Sequence, residues 1–332
     1  MEVIELTWIV VGAALVFDYT NGFHDSANAI ATSISTRALT PTVALTMAAV
    51  LNVVGGLLSE EVAKTLGSGI VETAVVTPPV VLATLCGAVL WNLITWYYGL
   101  PSSSSHALIG ALGGSVLFNT GFSAVKWEGI LHKVVIPTVT SPFVGFFVGM
   151  ALITALFWAF RNSAPGPVNR RFRQVQTISA AAMAFSHGSN DAQKTMGIIA
   201  LALVAGGKID HFYIPLWVKL SSAIVIGLGT FTGGKRIIRT MGMKMVKLQP
   251  IDGFAAETAA SGVLFATAHL GFPVSTTHVI TSSIMGVGAT KRLSAVKWGV
   301  TLNIMLAWIL TLPAAALIAG LFVRVFAYFG LH

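Results

Sequence analysis

Ser123-Ala124-Val125-Lys126-Trp127 is repeated without change at Ser294-Ala295-Val296-Lys297-Trp298, an offset of 294 − 123 = 171 residues. The stretches around this pentapeptide match at nearly the same offset. The matching pairs are Gly99–His106 with Gly271–His278, Thr140–Pro142 with Thr311–Pro313, and Gly22–Ser26 with Gly188–Ala192. Several matches at nearly one offset indicate an internal repeat.

The repeat divides the chain into two homologous halves and a connection. We assign residues 1–160 to the first half and residues 177–332 to the second. Residues 161–176 between them contain four arginines and two prolines, a composition that predicts a basic cytoplasmic linker.

The composition is that of a membrane protein. Of the 332 residues, 55% are hydrophobic and 10% are charged, whereas soluble domains have about 25% charged residues. The mean hydropathy is +0.81. The formal net charge of +8 does not indicate a nucleic-acid partner, because the basic residues lie in short clusters between apolar segments. We therefore expect a multi-pass protein in a lipid bilayer.

Each half contains apolar segments long enough to cross about 30 Å of hydrocarbon. We predict an all-α fold in which each half has three crossings and one re-entrant hairpin. The predicted crossings are residues 6–30, 41–58, 134–160, 177–206, 214–232 and 298–323, and residues 80–118 and 253–289 are predicted to form the hairpins. Two full crossings in place of each hairpin would be an alternative.

The number of crossings sets the relation between the halves. Because three is odd, equivalent positions lie on opposite sides of the membrane, so Lys126 is expected outside and Lys297 inside. This arrangement places thirteen Lys and Arg residues inside and six outside, with Lys194 in the membrane, in agreement with the positive-inside rule. Inverted repeats commonly hold their substrate near the midplane, at interrupted helices.

The first polar motif, Asp18 to Asn28, lies inside the first predicted crossing. Asn21-Gly22 is a weak helix-forming pair, which predicts an interruption. Carboxylates in hydrocarbon are costly, at about 2.5–3.5 kcal/mol each, so they are expected to face a polar cavity. We predict a coupling-cation site formed by Asp18, Asn21, Asp25, Asn28 and Asp191, in which Asp25, Asn28 and Asp191 would be the Na⁺ ligands. A purely structural hydrogen-bonded cluster is the alternative.

The second polar motif, Ser186 to Thr195, is the counterpart of the first. It has Lys194 where the first half has Asn28, since 28 + 166 = 194. The first motif, with Asn28, therefore suits a cation, whereas the second motif, with Lys194, suits an anion. The alternative role of Lys194 is an ion pair with Asp191 or another carboxylate.

Hydroxyl clusters follow Pro101 and Pro273, each at a predicted helix start. The free amides of a helix start bind oxyanions, and neighbouring hydroxyls add donors. Together with the polar residues of the second motif, they form the predicted phosphate site: Ser103, Ser104, Ser105, Asn190, Gln193, Lys194, Ser275, Thr276 and Thr277. The alternative is that these small residues only allow close helix packing.

Four histidines adjoin these motifs: His24, His106, His187 and His278. We expect them to orient the polar network, with proton transfer as the alternative role. Glu257 is a further candidate buried ligand, and its first-half counterpart is Leu85.

Asn21–Ala29 and Ser186–Gly197 resemble the paired signatures of the PiT inorganic phosphate transporters, and Pro273–His278 resembles a third marker of that family. The resemblance covers nearly the whole chain. It implies a secondary active transporter of the bacterial inner membrane that imports inorganic phosphate by symport with Na⁺ or H⁺, without a cofactor, and that forms a homodimer. The His24-Asp25 pair departs from the family's usual Asn-Asp and is similar to that of proton-coupled bacterial members.

Other functions remain as alternatives. Some relatives carry sulfate, but phosphate keeps a proton near neutral pH that a carboxylate can accept, and sulfate has none. An anion channel is disfavoured because its pore would be lined by Arg or Lys. A hydrolase is disfavoured because the chain has no nucleophile motif such as Gly-x-Ser-x-Gly, so we expect that the protein is not an enzyme.

Overall fold

The structure is a computed structural model, and it describes residues 3–72 and 75–331 as helices and connecting segments. Residues 1, 2, 73, 74 and 332 of the predicted halves lie outside the described residues. The helices of the first half are α1 (Val3–Ser35), α2 (Pro41–Gly56), α3 (Glu61–Ser68), α4 (Pro78–Tyr98), α5 (Ser104–Thr120), α6 (Trp127–Ile130) and α7 (Ile136–Ala159).

The second half repeats this order, with one helix, α13, in the place of α6 and α7. Its helices are α8 (Pro165–Ala205), α9 (Leu216–Thr232), α10 (Lys235–Arg239), α11 (Pro250–His269), α12 (Thr276–Lys291) and α13 (Trp298–Tyr328). A π-helical turn at 131–135 joins α6 to α7, and another at 240–244 extends α10. The all-helical fold predicted from the sequence is confirmed.

Two hydrophobic cores lie on either side of the polar motifs, and we call them the first and second core. Phe17 of α1 and Met196 of α8 belong to the first core, whereas Ile30 of α1 and Met183 of α8 belong to the second. Along the chain, α1 therefore passes from the first core to the second, and α8 passes from the second to the first. This opposite direction is the relation that inverted repeats require.

The predicted crossings agree with the helix lengths in most places. Four helical segments are long and apolar enough to span a bilayer: Glu5–Ser35, Pro78–Tyr98, Trp127–Ala159 and Trp298–Tyr328. Two bent pairs, α2 with α3 at 71° and α9 with α10 at 61°, raise the number to six if each pair is one span. α8 is not among these spans, and its residues from Ser186 to Leu203 are all buried. Its polar motif therefore faces protein on every side.

Two helical hairpins interrupt the halves where the sequence predicts them. In hairpin 1, α4 ends at Gly99 (φ 65°) and α5 begins after Ser103. In hairpin 2, the glycine after α11, Gly271, has φ 71°, and α12 begins after Ser275. These positive φ values are readily adopted by glycine and end the first arm of each hairpin. The Ser103 hydroxyl accepts a hydrogen bond from the His106 amide at 3.1 Å, and the Ser275 hydroxyl accepts one from the His278 amide at 3.2 Å.

The predicted interruption at Asn21-Gly22 is wrong, because α1 continues through it without a break. Gly22 instead allows close packing: a Cβ at this position would lie 2.4 Å from the carbonyl oxygen of Ile226 and 2.9 Å from the Cα of Gly229, both in α9. α8 likewise continues through Gly188. The interrupted helices of this fold are the hairpins and the bent pairs.

The predicted linker is largely helical, because α8 begins at Pro165 rather than near residue 177. Proline is favoured in the first turn of a helix, where its missing amide has no partner to lose. Phe172 anchors this basic segment by packing edge-on against Phe160 and Phe254, with ring centroids 5.4 and 5.3 Å apart. Only the turn around residues 160–164 separates α7 from α8.

The predicted inversion of the two halves can be tested by labelling introduced cysteines. Ser123 and Ser294 are equivalent exposed positions of the repeated pentapeptide. We expect Ser123→Cys, in a Cys86→Ala background, to react with an impermeant thiol reagent in whole cells, whereas Ser294→Cys reacts only after the cells are opened. Reaction of both cysteines from the same side would contradict inverted repeats.

Candidate functional site

The tips of the two hairpins meet α1 and α8 between the two hydrophobic cores. Ser105 of hairpin 1 donates a hydrogen bond of 3.4 Å to the carbonyl oxygen of Val274 in hairpin 2. The rings of His106 and His278, which follow the two caps, lie 4.6 Å apart. The two hydroxyl clusters, 172 positions apart in the sequence, are therefore neighbours.

Asp25 of α1 binds the tip of hairpin 1. Its carboxylate accepts a hydrogen bond of 2.6 Å from the Ser104 hydroxyl, and its other oxygen lies 2.7 Å from Nδ1 of His24. Nε2 of His24 lies 3.0 Å from the Thr95 hydroxyl and 3.3 Å from the Ser102 hydroxyl. His24 is thus held between Asp25 and hairpin 1.

Asn28, one turn further along α1, binds the tip of hairpin 2. Its amide donates hydrogen bonds of 3.1 Å to the Thr276 hydroxyl and 2.9 Å to the Thr277 hydroxyl. α1 therefore contacts hairpin 1 through Asp25 and hairpin 2 through Asn28.

Lys194 of α8 is almost completely buried and contacts both hairpins. Its ammonium group donates to Asp191, to the Ser105 hydroxyl, and to the Val274 carbonyl oxygen at 3.2 Å. The ion pair with Asp191, an alternative role in the sequence analysis, is present. The same ammonium group nevertheless lies beside the hydroxyls and helix starts that favour an anion.

Asp25, His187 and Asp191 form the one group of metal-ligating side chains found among the described residues, with ligand atoms all within 4.8 Å of one another. His187 adds a nitrogen ligand that the sequence analysis did not assign. Its Nε2 lies 3.4 Å from Asp191, and its Nδ1 lies 3.1 Å from the side-chain oxygen of Asn52 in α2. Asn52 was also missed, because no motif surrounds it.

A second buried polar group surrounds Asp18, nearer the first core. The Thr195 and Ser222 hydroxyls face the Asp18 carboxylate, but no hydrogen bond of ordinary geometry joins them to it. The side-chain amide of Asn21, about one turn along α1 from Asp18, is also buried and without a hydrogen-bond partner in the described part of the chain. Buried polar groups normally have partners, so this group of oxygens fits a cation.

Gln193 is the predicted site residue that the structure places elsewhere. Its side-chain oxygen accepts a hydrogen bond of 2.9 Å from the Val62 amide of α3, and its amide nitrogen donates to the Ser189 carbonyl. The side chain therefore joins α8 to α3. Asp25, Asn28, Asp191 and Lys194 converge with the hairpin hydroxyls, because four separate elements meet at the hairpin tips.

The whole arrangement is a closed site with more carboxylates than cations. Asp18, Asp25 and Asp191 contribute three carboxylates against the single ammonium group of Lys194, and all four side chains are at most 2% exposed. Hydroxyl and amide donors from both hairpins lie within the same site. Such a site suits an oxyanion only when positive charge enters with it.

Comparison with known proteins agrees with this arrangement. Residues 21–319, which include every site residue except Asp18, match the phosphate transporter family. The chain belongs to the phosphate transporter family. Since the family consists of transporters, the expectations of a membrane protein and of a protein that is not an enzyme are both confirmed.

Individual relatives match over nearly their whole length. A protein of Rhizobium meliloti (strain 1021), described as a probable low-affinity inorganic phosphate transporter, is 49% identical over 94% of each chain. A Bacillus subtilis (strain 168) protein with the same description is 43% identical over 98% of this chain and 97% of the relative. A solved structure, "The sodium-dependent phosphate transporter", has a TM-score of 0.89 at 24% identity, covering 98% of this chain and 99% of the other. This last likeness shows the fold.

Proposed function

We propose that this member of the phosphate transporter family imports inorganic phosphate by symport with a monovalent cation, Na⁺ or H⁺, across the bacterial plasma membrane. The observation that carries the proposal is the position of Lys194, which contacts Ser105 of hairpin 1 and Val274 of hairpin 2 beside two buried aspartates. One cation, two hydroxyl-rich helix starts and several carboxylates together fit an anion that enters with a cation.

The anion is assigned to the hairpin tips. Lys194, Ser104, Ser105, Thr276 and Thr277 supply the donors for phosphate oxygens, with the first-turn amides of α5 and α12. Ser103 and Ser275 keep the two helix starts in place as caps. Asn190, whose buried side-chain amide has no hydrogen-bond partner in the described part of the chain, is assigned to phosphate as a further donor. Gln193, held by Val62, is assigned to the support of α8.

The cation is assigned to the carboxylates. Asp25 and Asp191, with His187 and the neighbouring Asn28, form one group, and Asp18 with Asn21 forms the other. Either group neutralises its charge by taking up Na⁺ or a proton, which lowers the cost of bringing a phosphate dianion into a buried site. Both Na⁺ and H⁺ meet this requirement.

Alternating access follows from the inverted halves. Each hairpin lies in a different core, hairpin 1 in the first and hairpin 2 in the second. A shift of one hairpin relative to α1 and α8 would open the site toward one side, while the other hairpin keeps it closed. The homodimer that the family resemblance implies stays a prediction. Contact of the helices with the lipid bilayer is likewise a prediction.

A reconstitution experiment tests the proposed function. We expect purified protein in liposomes to concentrate labelled phosphate when an inward Na⁺ gradient, or an inward proton gradient, is applied, and not when neither is present. The gradient that supports accumulation identifies the coupling ion. Equal competition by unlabelled sulfate and unlabelled phosphate would favour the sulfate alternative, and anion flux without any cation dependence would favour a channel.

A further inference from the structure

Arg236 of α10 binds the end of the first arm of hairpin 1. Its guanidinium group donates a hydrogen bond to the carbonyl oxygen of Tyr97 in the last turn of α4. The same group lies 5.0 Å from the centroid of the Tyr97 ring and 5.8 Å from that of the Trp96 ring, distances at which a cation is attracted to an aromatic face. The carbonyl groups of a last helical turn have no partners within the helix and carry partial negative charge. Arg236 therefore stabilises this end of α4.

Thr240, one turn after Arg236, binds the tip of the same hairpin. Its hydroxyl donates a hydrogen bond of 3.0 Å to the Gly99 carbonyl oxygen. A Cβ at Gly99 would lie 3.2 Å from the Cβ of Arg236, so the two segments are in close contact. Just before α10, the Gly234 amide donates a hydrogen bond of 2.9 Å to the Ser26 hydroxyl of α1. α10 therefore joins hairpin 1 to α1.

These contacts hold the part of hairpin 1 that carries two of the proposed phosphate donors. Ser104 and Ser105 follow Gly99 by five and six residues, and Ser104 is itself bound to Asp25 at 2.6 Å. The tip of hairpin 1 is thus attached on two sides, to α10 through Gly99 and to α1 through Ser104. Loss of the contact with α10 would allow the two hydroxyls to move relative to α1 and α8.

Hairpin 2 meets a short helix in the same way, but with a different side chain. A Cβ at its tip glycine, Gly271, would lie 3.2 Å from the Glu61 carbonyl oxygen and 3.3 Å from the Thr65 hydroxyl, both in α3. Glu61 and Thr65 are four residues apart, as are the arginine and the threonine of α10. α3 therefore meets hairpin 2 as α10 meets hairpin 1, with a glutamate in the place of the arginine.

A glutamate cannot make the contact that Arg236 makes. A carboxylate has no proton to donate to a carbonyl oxygen, and its charge is unfavourable at the C-terminal end of a helix. Glu61 instead accepts a hydrogen bond of 2.7 Å from Lys64 of its own helix. A cleft of about 350 Å³ lies beside it and is also lined by His269, the equivalent of Tyr97 because 97 + 172 = 269. Hairpin 2 therefore borders an open cleft at the place where hairpin 1 is bound.

We propose that Arg236, with Thr240, is a positioning residue that holds the tip of hairpin 1 in place for phosphate. The inference rests on the proposed phosphate symport. Hairpin 1 stays attached to α10 while the anion binds and leaves. Hairpin 2, which has a glutamate and an open cleft at the equivalent place, is the hairpin that moves.

Arg236→Met removes the charge and the hydrogen-bond donors and keeps an unbranched apolar stem. We expect the KM for phosphate uptake into liposomes to rise roughly fivefold or more, and kcat to change less than about twofold, because the hydroxyls of hairpin 1 are no longer held. Arg236→Lys keeps the charge and a donor, so we expect it to restore the KM. A merely structural role would lower the amount of folded protein and the apparent kcat without raising the KM, and that result would overturn the proposal.

Lys235→Met is the matched control. Lys235 adjoins Arg236 and carries the same charge, but it is exposed and lies about 100° further around the helix. We expect this variant to leave the KM and kcat for phosphate unchanged. An equal rise in KM for Lys235→Met and Arg236→Met would show that the charge of α10, and not the contact with hairpin 1, is responsible, and would reject the positioning role.

A pair of introduced cysteines tests which hairpin moves. Leu100 and Phe272 are equivalent half-buried residues that follow the two tip glycines, since 100 + 172 = 272. In a Cys86→Ala background in detergent, we expect phosphate with its coupling cation to change the rate at which a thiol reagent modifies Phe272→Cys, and to leave the rate for Leu100→Cys unchanged. Addition of Arg236→Met is expected to make the rate for Leu100→Cys depend on phosphate.

Uptake by the unmodified protein is measured first, so that the two proposals can fail separately. If it takes up no phosphate and phosphate has no effect on Phe272→Cys, the proposed function fails. If uptake is normal, an unchanged KM in folded Arg236→Met, or an equal effect of phosphate on the two cysteines while Arg236 is present, rejects only the role of Arg236. The comparison of the two cysteines requires no substitution of Arg236 and therefore decides the question even if Arg236→Met does not fold.

Discussion

Lys194→Met is expected to lower the kcat/KM for phosphate uptake by roughly 100-fold or more. The substitution keeps the length and the apolar stem of the side chain and removes the single ammonium group that contacts both hairpin tips. Removing one partner of a buried, hydrogen-bonded charge pair costs about 2–5 kcal/mol, and each 1.4 kcal/mol is about a factor of ten. The measurement is the initial rate of labelled phosphate uptake at several phosphate concentrations.

The control for Lys194→Met is Lys291→Met. Lys291 also pairs with a buried carboxylate, Asp252, but it lies at the end of α12 and away from the hairpin tips. We expect Lys291→Met to lower the melting temperature and to leave the KM for phosphate unchanged. Because Lys194→Met leaves Asp191 without its partner, folding is checked by size exclusion and thermal unfolding. A folded Lys194→Met protein with the KM of the unmodified protein would contradict the anion site.

Asp25→Asn is expected to abolish the accumulation of phosphate against its gradient, with a fall of at least tenfold in the ratio of internal to external phosphate. Asparagine has the shape of aspartate and keeps an acceptor for the Ser104 hydroxyl, so the hairpin contact survives. The charge that neutralises the coupling cation is lost. Accumulation ratios in liposomes with an imposed gradient of the coupling ion measure this effect.

Asp252→Asn is the matched control for Asp25→Asn. Asp252 is likewise a buried carboxylate with a basic partner, but it caps the first turn of α11. Its substitution is expected to lower stability by about 1 kcal/mol through the weakened cap without changing the accumulation ratio. If Asp25→Asn concentrates phosphate as well as the unmodified protein does, Asp25 is not a coupling ligand.

The sequence predicted those features that depend on local composition and on order along the chain. The internal repeat indicated two halves, and the lengths of the apolar segments indicated most of the helices. Gly99 and Gly271, followed by proline and hydroxyl residues, predicted the two hairpins, and both glycines have positive φ. Turn and capping preferences act over a few residues, so a short stretch of sequence determines them.

Local sequence preferences gave the wrong secondary structure where packing between distant parts of the chain outweighed them. Glycine in a helix costs about 1 kcal/mol relative to alanine, which predicted a break at Asn21-Gly22. The close contact of Gly22 with α9 offsets that cost, and α1 continues. The basic segment after Arg161 was predicted to be a linker on its composition, but it is helical from Pro165, and Phe172 packs against Phe160 and Phe254.

The sequence alone determined that the chain is a helical membrane protein of two related halves, and it identified most of the polar residues of the candidate site, because periodicity, charge and repeats are properties of the chain itself. Only the tertiary structure decided which of these residues meet. In it, Asp25 contacts Ser104 and Asn28 contacts Thr277. Lys194 pairs with Asp191, and Gln193 binds the Val62 amide. Glu257 accepts hydrogen bonds from two helices. The physical reason is that such contacts join groups up to 249 positions apart, and the packing of whole helices, rather than any local preference, brings them together.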